Sequence, residues 1–226
     1  MYISGVCTGL KHDSYLFQIR KPQRLLLDRW SQGISRFQLQ LVHEKDNIKM
    51  MNISQEVLKE AVNIVVDPLV GITDLYPVQM ELLRSLLHEK NIFFTSATNS
   101  GKTLPAVVYP YVLDELCKLG YEVPSGKVLF VTALNSIKLS MVSSVKALGL
   151  ACEALTGDNY LEAISSPEVK VLFVSPEVLK IPNVTSCLLS NRQAFILKVI
   201  DECHLGKKSR ILDSFEMPYL HWKRLN

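Results

Sequence analysis

At 226 residues, 48% of them hydrophobic and 21% charged, the chain is long enough for one sizeable core, or for one domain with an extension. A formal charge of +3 leans basic, which permits a nucleic-acid partner without demanding one. The five cysteines (7, 117, 152, 187 and 203) are odd in number and form no Cys-x-x-Cys pair, which argues against a disulfide framework and against zinc, and fits a reducing compartment.

No apolar run approaches the roughly 18 residues that a membrane helix needs, and the N-terminus lacks a secretory pattern. The expectation is an intracellular protein with no membrane partner. The sequons Asn52-Ile53-Ser54 and Asn183-Val184-Thr185 then read as chance matches.

Residues 1–50 carry no motif and stand as an N-terminal extension without an assigned structure. Within them Tyr15–Ile19 and Phe37–Val42 read as strands, the second with clean alternation, and Leu25–Trp30 as a helical turn. From Ser54 the periodicity turns helical, with Ser54 as N-cap and Val57, Leu58, Ala61 and Val62 on one face. Gly71 ends that segment. Pro77 then suits the first position of a helix that carries Leu82, Leu83 and Leu86 on one side. Gln79 lies on that helix. Its amide suits N6 and N7 of adenine, and equally a solvated helix surface.

The apolar run Ile92-Phe93-Phe94 leads into Thr95-Ser96-Ala97-Thr98-Asn99-Ser100-Gly101-Lys102-Thr103. Leu104 onward reads as the first turns of a helix. A strand, a small-residue turn and a helix opening on Gly-Lys-Thr make a phosphate cradle, because the helix-start N–H groups and the helix dipole both face the anion. Thr98, Asn99, Ser100 and Gly101 would line it. Lys102 would reach the β- and γ-phosphates, and the Thr103 hydroxyl would ligate Mg²⁺.

Beyond this helix, Lys118-Leu119-Gly120 supplies a stop and Pro124-Ser125-Gly126 a turn. Lys127–Thr132 is a short apolar run of the kind buried on both faces of a sheet. A helix from about Ile137 to Leu148, a brief strand at 151–155, a turn at Thr156-Gly157-Asp158-Asn159 and strands at Val169–Val174 and Phe195–Ile200 follow. Strands alternating with helices predict an α/β fold, a parallel sheet with helices on both faces. Ligands of such sheets bind beyond the carboxyl ends of the strands. Lys102, Thr132, Ser175 and Asp201-Glu202 all fall at or just after such ends. An acid at a buried strand's tip opposite a phosphate loop suits the Mg²⁺ shell, and Glu202 beside it suits an attacking water.

Asp201-Glu202-Cys203-His204, with Ser100-Gly101-Lys102-Thr103 upstream and Gln79 before that, resembles the first RecA-like lobe of a superfamily 2 helicase of DExH type. The chain is most similar to RecQ-like DNA helicases: Gly71–Gln79 resembles their adenine-reading segment, Thr132–Ile137 their next motif, and Phe173–Leu179 the strand end before the acidic motif. The likeness covers about residues 54–226, so the extension at 1–50 is followed by an ATP-binding domain at 51–226. The resemblance implies ATP with Mg²⁺ held by Gln79, Thr98–Thr103 and Asp201, and catalysis by Lys102, Asp201, Glu202 and His204. His204 would couple nucleotide state to a partner lobe. Thr132, Ser136 and Ser175 would run along single-stranded DNA, positioning it without reading bases. DNA, single-stranded or forked, is the implied partner, and a nuclear location is implied if the source is eukaryotic.

Several positions depart from the family pattern. Ser96 and Asn99 stand where glycines are common, Tyr76 replaces an Arg before the Pro, and Cys203 a common Ala. After His204, Leu205–Arg210 is basic and lacks the Trp of the loop that couples DNA to hydrolysis. The second RecA-like lobe, needed to close on ATP, does not follow the DExH motif in this sequence. The expectation is a gene fragment, or a chain that binds nucleotide and turns it over poorly. Two rival readings stand: a non-catalytic module that holds nucleic acid or a partner protein, and an ATPase unrelated to nucleic acid. Gripping a triphosphate and its magnesium requires Lys102 and Asp201 to lie on the same side of the molecule.

Overall fold

The computed structural model describes residues 15–18, 37–42, 53–88, 91–96, 101–132 and 135–201. In chain order the elements are β1 (Tyr15–Gln18), β2 (Phe37–Val42), α1 (Gln55–Val66), α2 (Pro77–His88), β3 (Asn91–Ser96), α3 (Thr103–Lys118), β4 (Lys127–Val131) and α4 (Asn135–Ala147). They continue with β5 (Cys152–Ala154), α5 (Tyr160–Ser165), β6 (Val171–Val174), α6 (Pro176–Leu179), α7 (Pro182–Ser190), a 3-10 turn (Arg192–Ala194) and β7 (Phe195–Asp201). Leu25–Trp30 lies outside the described residues.

The apolar runs behave as their texture predicts. Val171–Val174 is buried throughout, as is Phe195–Ile200, because both faces of these strands are covered. Alternation divides their side chains between two cores. Val128, Phe130, Val171, Phe173, Leu197 and Val199 join Ile92 and Phe94 beneath helices α1 to α4. Leu129, Leu172, Val174 and Phe195 pack on the other face against Ala163, Ile164, Leu179, Val184 and Leu188 of α5 to α7. Helices therefore cover both faces, as the pattern predicts.

The seven strands lie in the order β1-β3-β2-β7-β4-β6-β5. β7, β4, β6 and β5 are parallel to one another, whereas β2 runs antiparallel to both β3 and β7. β3 thus points the same way as the four parallel strands but is separated from them by β2. Both N-terminal segments read as strands from sequence are strands, and both belong to this same sheet.

Local chemistry sets the helix boundaries. The Ser54 Oγ accepts from the Val57 N–H at 3.3 Å and starts α1, and Pro77 opens α2, where its missing N–H costs nothing. Pro110 lies inside α3, where it removes one helical hydrogen bond; the helix is retained because its surroundings bury Ala106 to Pro110 completely. At the start of β4 the buried Lys127 ammonium donates to the carbonyls of Ser166 and Val169 and ties the loop before β6 to the sheet. Helices α5, α6 and α7 were not expected. The first two, with 6 and 4 residues, are too short to show a period, whereas α7 is announced by Pro182 at its first position. Among the described residues no helix is long and apolar enough to cross a membrane.

The rings of Phe130 and Phe173, side by side on neighbouring strands, stand 5.2 Å apart at the centre of the first core. Phe173→Ala is expected to destabilise the protein by about 3–5 kcal/mol, lowering the urea midpoint without changing the slope. Leu161→Ala, on the exposed side of α5, should change stability by less than about 0.5 kcal/mol.

Candidate nucleotide-binding site

Strand direction brings the two halves of the predicted site to one edge of the sheet. In the β2 register, Leu39 is opposite Phe94 of β3 on one side and Asp201 of β7 on the other. Phe94 and Asp201 are therefore level with each other, two strand spacings or about 9.5 Å apart. β3 runs on to Ser96, and five residue steps, a reach of at most about 17 Å, lead to Gly101. Alternation along β7 places Asp201 on the same face as Leu197 and Val199, the face that α3 covers. Lys102, at the N-cap of α3, and Asp201 at the end of β7 thus share an edge and a face. Both are half-buried. Thr98, Asn99, Ser100, Glu202 and His204 lie outside the described residues.

The start of α3 suits an anion. No side chain caps it at Lys102, and sixteen helical residues stand behind it to align their dipoles. Gly101 enters the helix with φ +69°, in the left-handed region that favours glycine. Its carbonyl accepts from the Leu104 N–H at 3.1 Å and from the Gln79 Nε2 at 2.9 Å, which uses both lone pairs.

Gln79 is 2% exposed, so it is not a solvated helix residue. Its Oε1 accepts from the Tyr76 N–H at 2.8 Å while its Nε2 holds Gly101. One N–H and one lone pair remain, which is the complement that adenine N7 and N6–H require. A Cβ at Gly101 would lie 2.4 Å from the Gln79 Nε2, so residue 101 is glycine for reasons of both space and backbone. The signals were in the sequence as Pro77-x-Gln79 and Gly101-Lys102-Thr103, but nothing there joined them.

The residues expected along a nucleic-acid strand divide. Ser136, in the first turn of α4, is exposed. Thr132 and Ser175 are fully buried at the ends of β4 and β6, where the Thr132 N–H donates to the Val174 carbonyl. The Ser175 Oγ has no hydrogen-bond partner among the described residues. At the same edge sits Lys138, on the buried face of α4. It is 5% exposed, its Nζ is 3.5 Å from the Leu155 carbonyl, and burial holds its pKa below the usual lysine range against the opposing pull of Glu177. The turn after β5 satisfies itself: the Asn159 Oδ1 accepts from the Thr156 N–H and hydroxyl, and the Asn159 amide donates to the Ala154 carbonyl.

Gln79→Ala would leave the Tyr76 N–H and one Gly101 lone pair unmet, at a cost of about 1–3 kcal/mol. Gly101→Ala should cost a similar amount through strain and overlap with the amide. Because the overlap disappears when Gln79 is removed, the double substitution should cost at least about 0.5 kcal/mol less than the sum of the singles. Urea unfolding of the four proteins measures this, and strict additivity would contradict the contact.

Residues 72–224 match the family described as Type III restriction enzyme, res subunit. The chain is also similar to activating signal cointegrator 1 complex subunit 3 of Dictyostelium discoideum, with 26% identity over 128 residues. That match covers 54% of this chain and 6% of the relative. The family match covers more than half of the sequence: the chain belongs to the Type III restriction enzyme res-subunit family and is a superfamily 2 helicase ATP-binding domain.

Proposed function

We propose that the chain is the ATP-binding lobe of a RecQ-like 3′–5′ DNA helicase, holding ATP–Mg²⁺ at the Lys102–Asp201 edge and single-stranded or forked DNA at the ends of β4 and β6. The observation that carries the nucleotide part is the alignment of Phe94 and Asp201 across Leu39, with Lys102 and Asp201 on one face. The RecQ-like part rests on the motifs Gly71–Gln79, Thr132–Ile137 and Phe173–Leu179. The family match is broader, and the name of the similar relative does not specify a RecQ-like protein.

In this reading the backbone of Thr98 to Gly101 and the start of α3 receive the phosphates, and Lys102 neutralises the β- and γ-oxygens. The Thr103 hydroxyl and the Asp201 carboxylate hold Mg²⁺, which when bound offsets the charge that builds on the transferring phosphoryl group. Glu202 orients and deprotonates the attacking water, and His204 relays the state of the site to a second lobe. Gln79 offers its remaining N–H and lone pair to adenine while fixing Gly101. The protein works inside the cell, in the nucleus if the source is eukaryotic.

Burial of the Thr132 and Ser175 hydroxyls favours a second reading, in which the lobe binds nucleotide or a protein partner with little grip on DNA. Titration with single-stranded DNA separates the two. Salt-dependent binding weakened by Ser136→Asp supports the helicase reading, whereas no binding at low salt supports the second. For the nucleotide itself, Lys102→Ala should lower ATP affinity at least about tenfold, or 1.4 kcal/mol. Asp201→Asn should abolish the strengthening of binding by Mg²⁺. Equal ATP binding by wild type and Lys102→Ala would overturn the assignment. The chain alone should unwind little or no duplex, because closure on ATP needs a second lobe.

A further inference from the structure

The phosphate-binding strand and the acid-tipped strand do not touch. Among the described residues β3 pairs with β1 and β2, and β7 with β2 and β4. The ladder between the two halves of the nucleotide site therefore runs through Phe37–Val42, a segment more than fifty residues ahead of Gly101 and outside every motif of the chain. We propose that β2 is the positioning element of this site: it holds the phosphate turn in register with Asp201, so that ATP–Mg²⁺ binding depends on residues 37–42.

The argument rests on what each kind of contact can fix. Ile92 and Phe94 anchor β3 in the first core, and their burial fixes which of its side chains face inward, whereas the ladder fixes which residue of the neighbouring strand each one stands against. A ladder fixes register in steps of one residue, about 3.4 Å. A metal–phosphate site tolerates displacements of only about 0.5 Å before its geometry fails. Leu39, Gln40, Leu41 and Val42 each pair on both sides, with Phe94, Phe93, Ile92 and Asn91 of β3 and with Asp201, Ile200, Val199 and Lys198 of β7. A slip at any of these would move Lys102 along the sheet relative to Asp201. An antiparallel strand needs no crossover helix, which is why a segment preceding the whole βα series can fill this place.

The proposal rests on the ATP reading above, and its test separates the two. Amide hydrogen exchange on the full 226-residue chain should show Leu39–Val42 protected to the same degree as β3 and the end of β7. Gln40→Pro, in the doubly paired centre of β2, should lower protection of β3 at least tenfold while β4 and β6 stay protected. ATP affinity should fall at least tenfold, and Mg²⁺ should no longer strengthen what binding remains, a change that a smaller folded fraction would not produce. Phe17→Pro in β1, at the edge of the sheet, should leave ATP affinity within twofold of wild type.

Unprotected β2 amides beside a protected β3 in the wild-type chain would overturn the proposal. So would a Gln40→Pro protein that binds ATP–Mg²⁺ like wild type. If Gln40→Pro does not fold, the wild-type exchange pattern alone decides. If wild type binds no ATP, the nucleotide reading fails, while the exchange pattern still decides whether β2 bridges β3 and β7.

Discussion

Everything in this molecule depends on strand direction. Because β2 is antiparallel to both of its neighbours, β3 and β7 point the same way, and the end of β3 and the acid at the tip of β7 come to the same edge. Were β3 reversed, the same residues would place Lys102 and Asp201 at opposite ends of the sheet. The two cores hold that arrangement from both faces, with Phe94, Phe130, Phe173 and Leu197 on one side and Leu172, Val174 and Phe195 on the other.

A smaller constraint shapes the entry to α3. The Gln79 amide spans from the Tyr76 N–H to the Gly101 carbonyl and so ties the start of α2 to the start of α3. A Cβ there would be strained at φ +69° and would push that amide aside. The amide keeps half of its hydrogen-bonding capacity, so the group that shapes the turn is also able to meet a base. Tyr76, 67% exposed, stands beside it.

Much of this was legible in the sequence, for identifiable reasons. The strands buried on both faces were visible as unbroken apolar runs, and α1 and α2 through Ser54 and Pro77. The start of α3 was marked by Gly101-Lys102-Thr103 after an apolar run. What could not be read was whatever depends on contacts distant in sequence. Nothing in Phe37–Val42 says that it lies between β3 and β7, because alternation specifies a strand but not its neighbours. Thr132 and Ser175 look like surface hydroxyls at strand ends, yet α4 and α6 follow closely enough to bury them. Lys138 shares the i, i+4, i+7 face of α4 with the buried Val142 and Val145, but its residue type hides this, and only the structure shows its ammonium beside the Leu155 carbonyl.

The central claim, that one nucleotide–metal complex is held jointly by Lys102 and Asp201, is tested most directly by a double-mutant cycle on ATP–Mg²⁺ binding with Lys102→Ala and Asp201→Asn. Two groups gripping the same complex should be coupled, with the double variant departing from the sum of the singles by at least about 0.5 kcal/mol. Additivity within about 0.3 kcal/mol would mean that lysine and acid act at separate places, and would contradict the account.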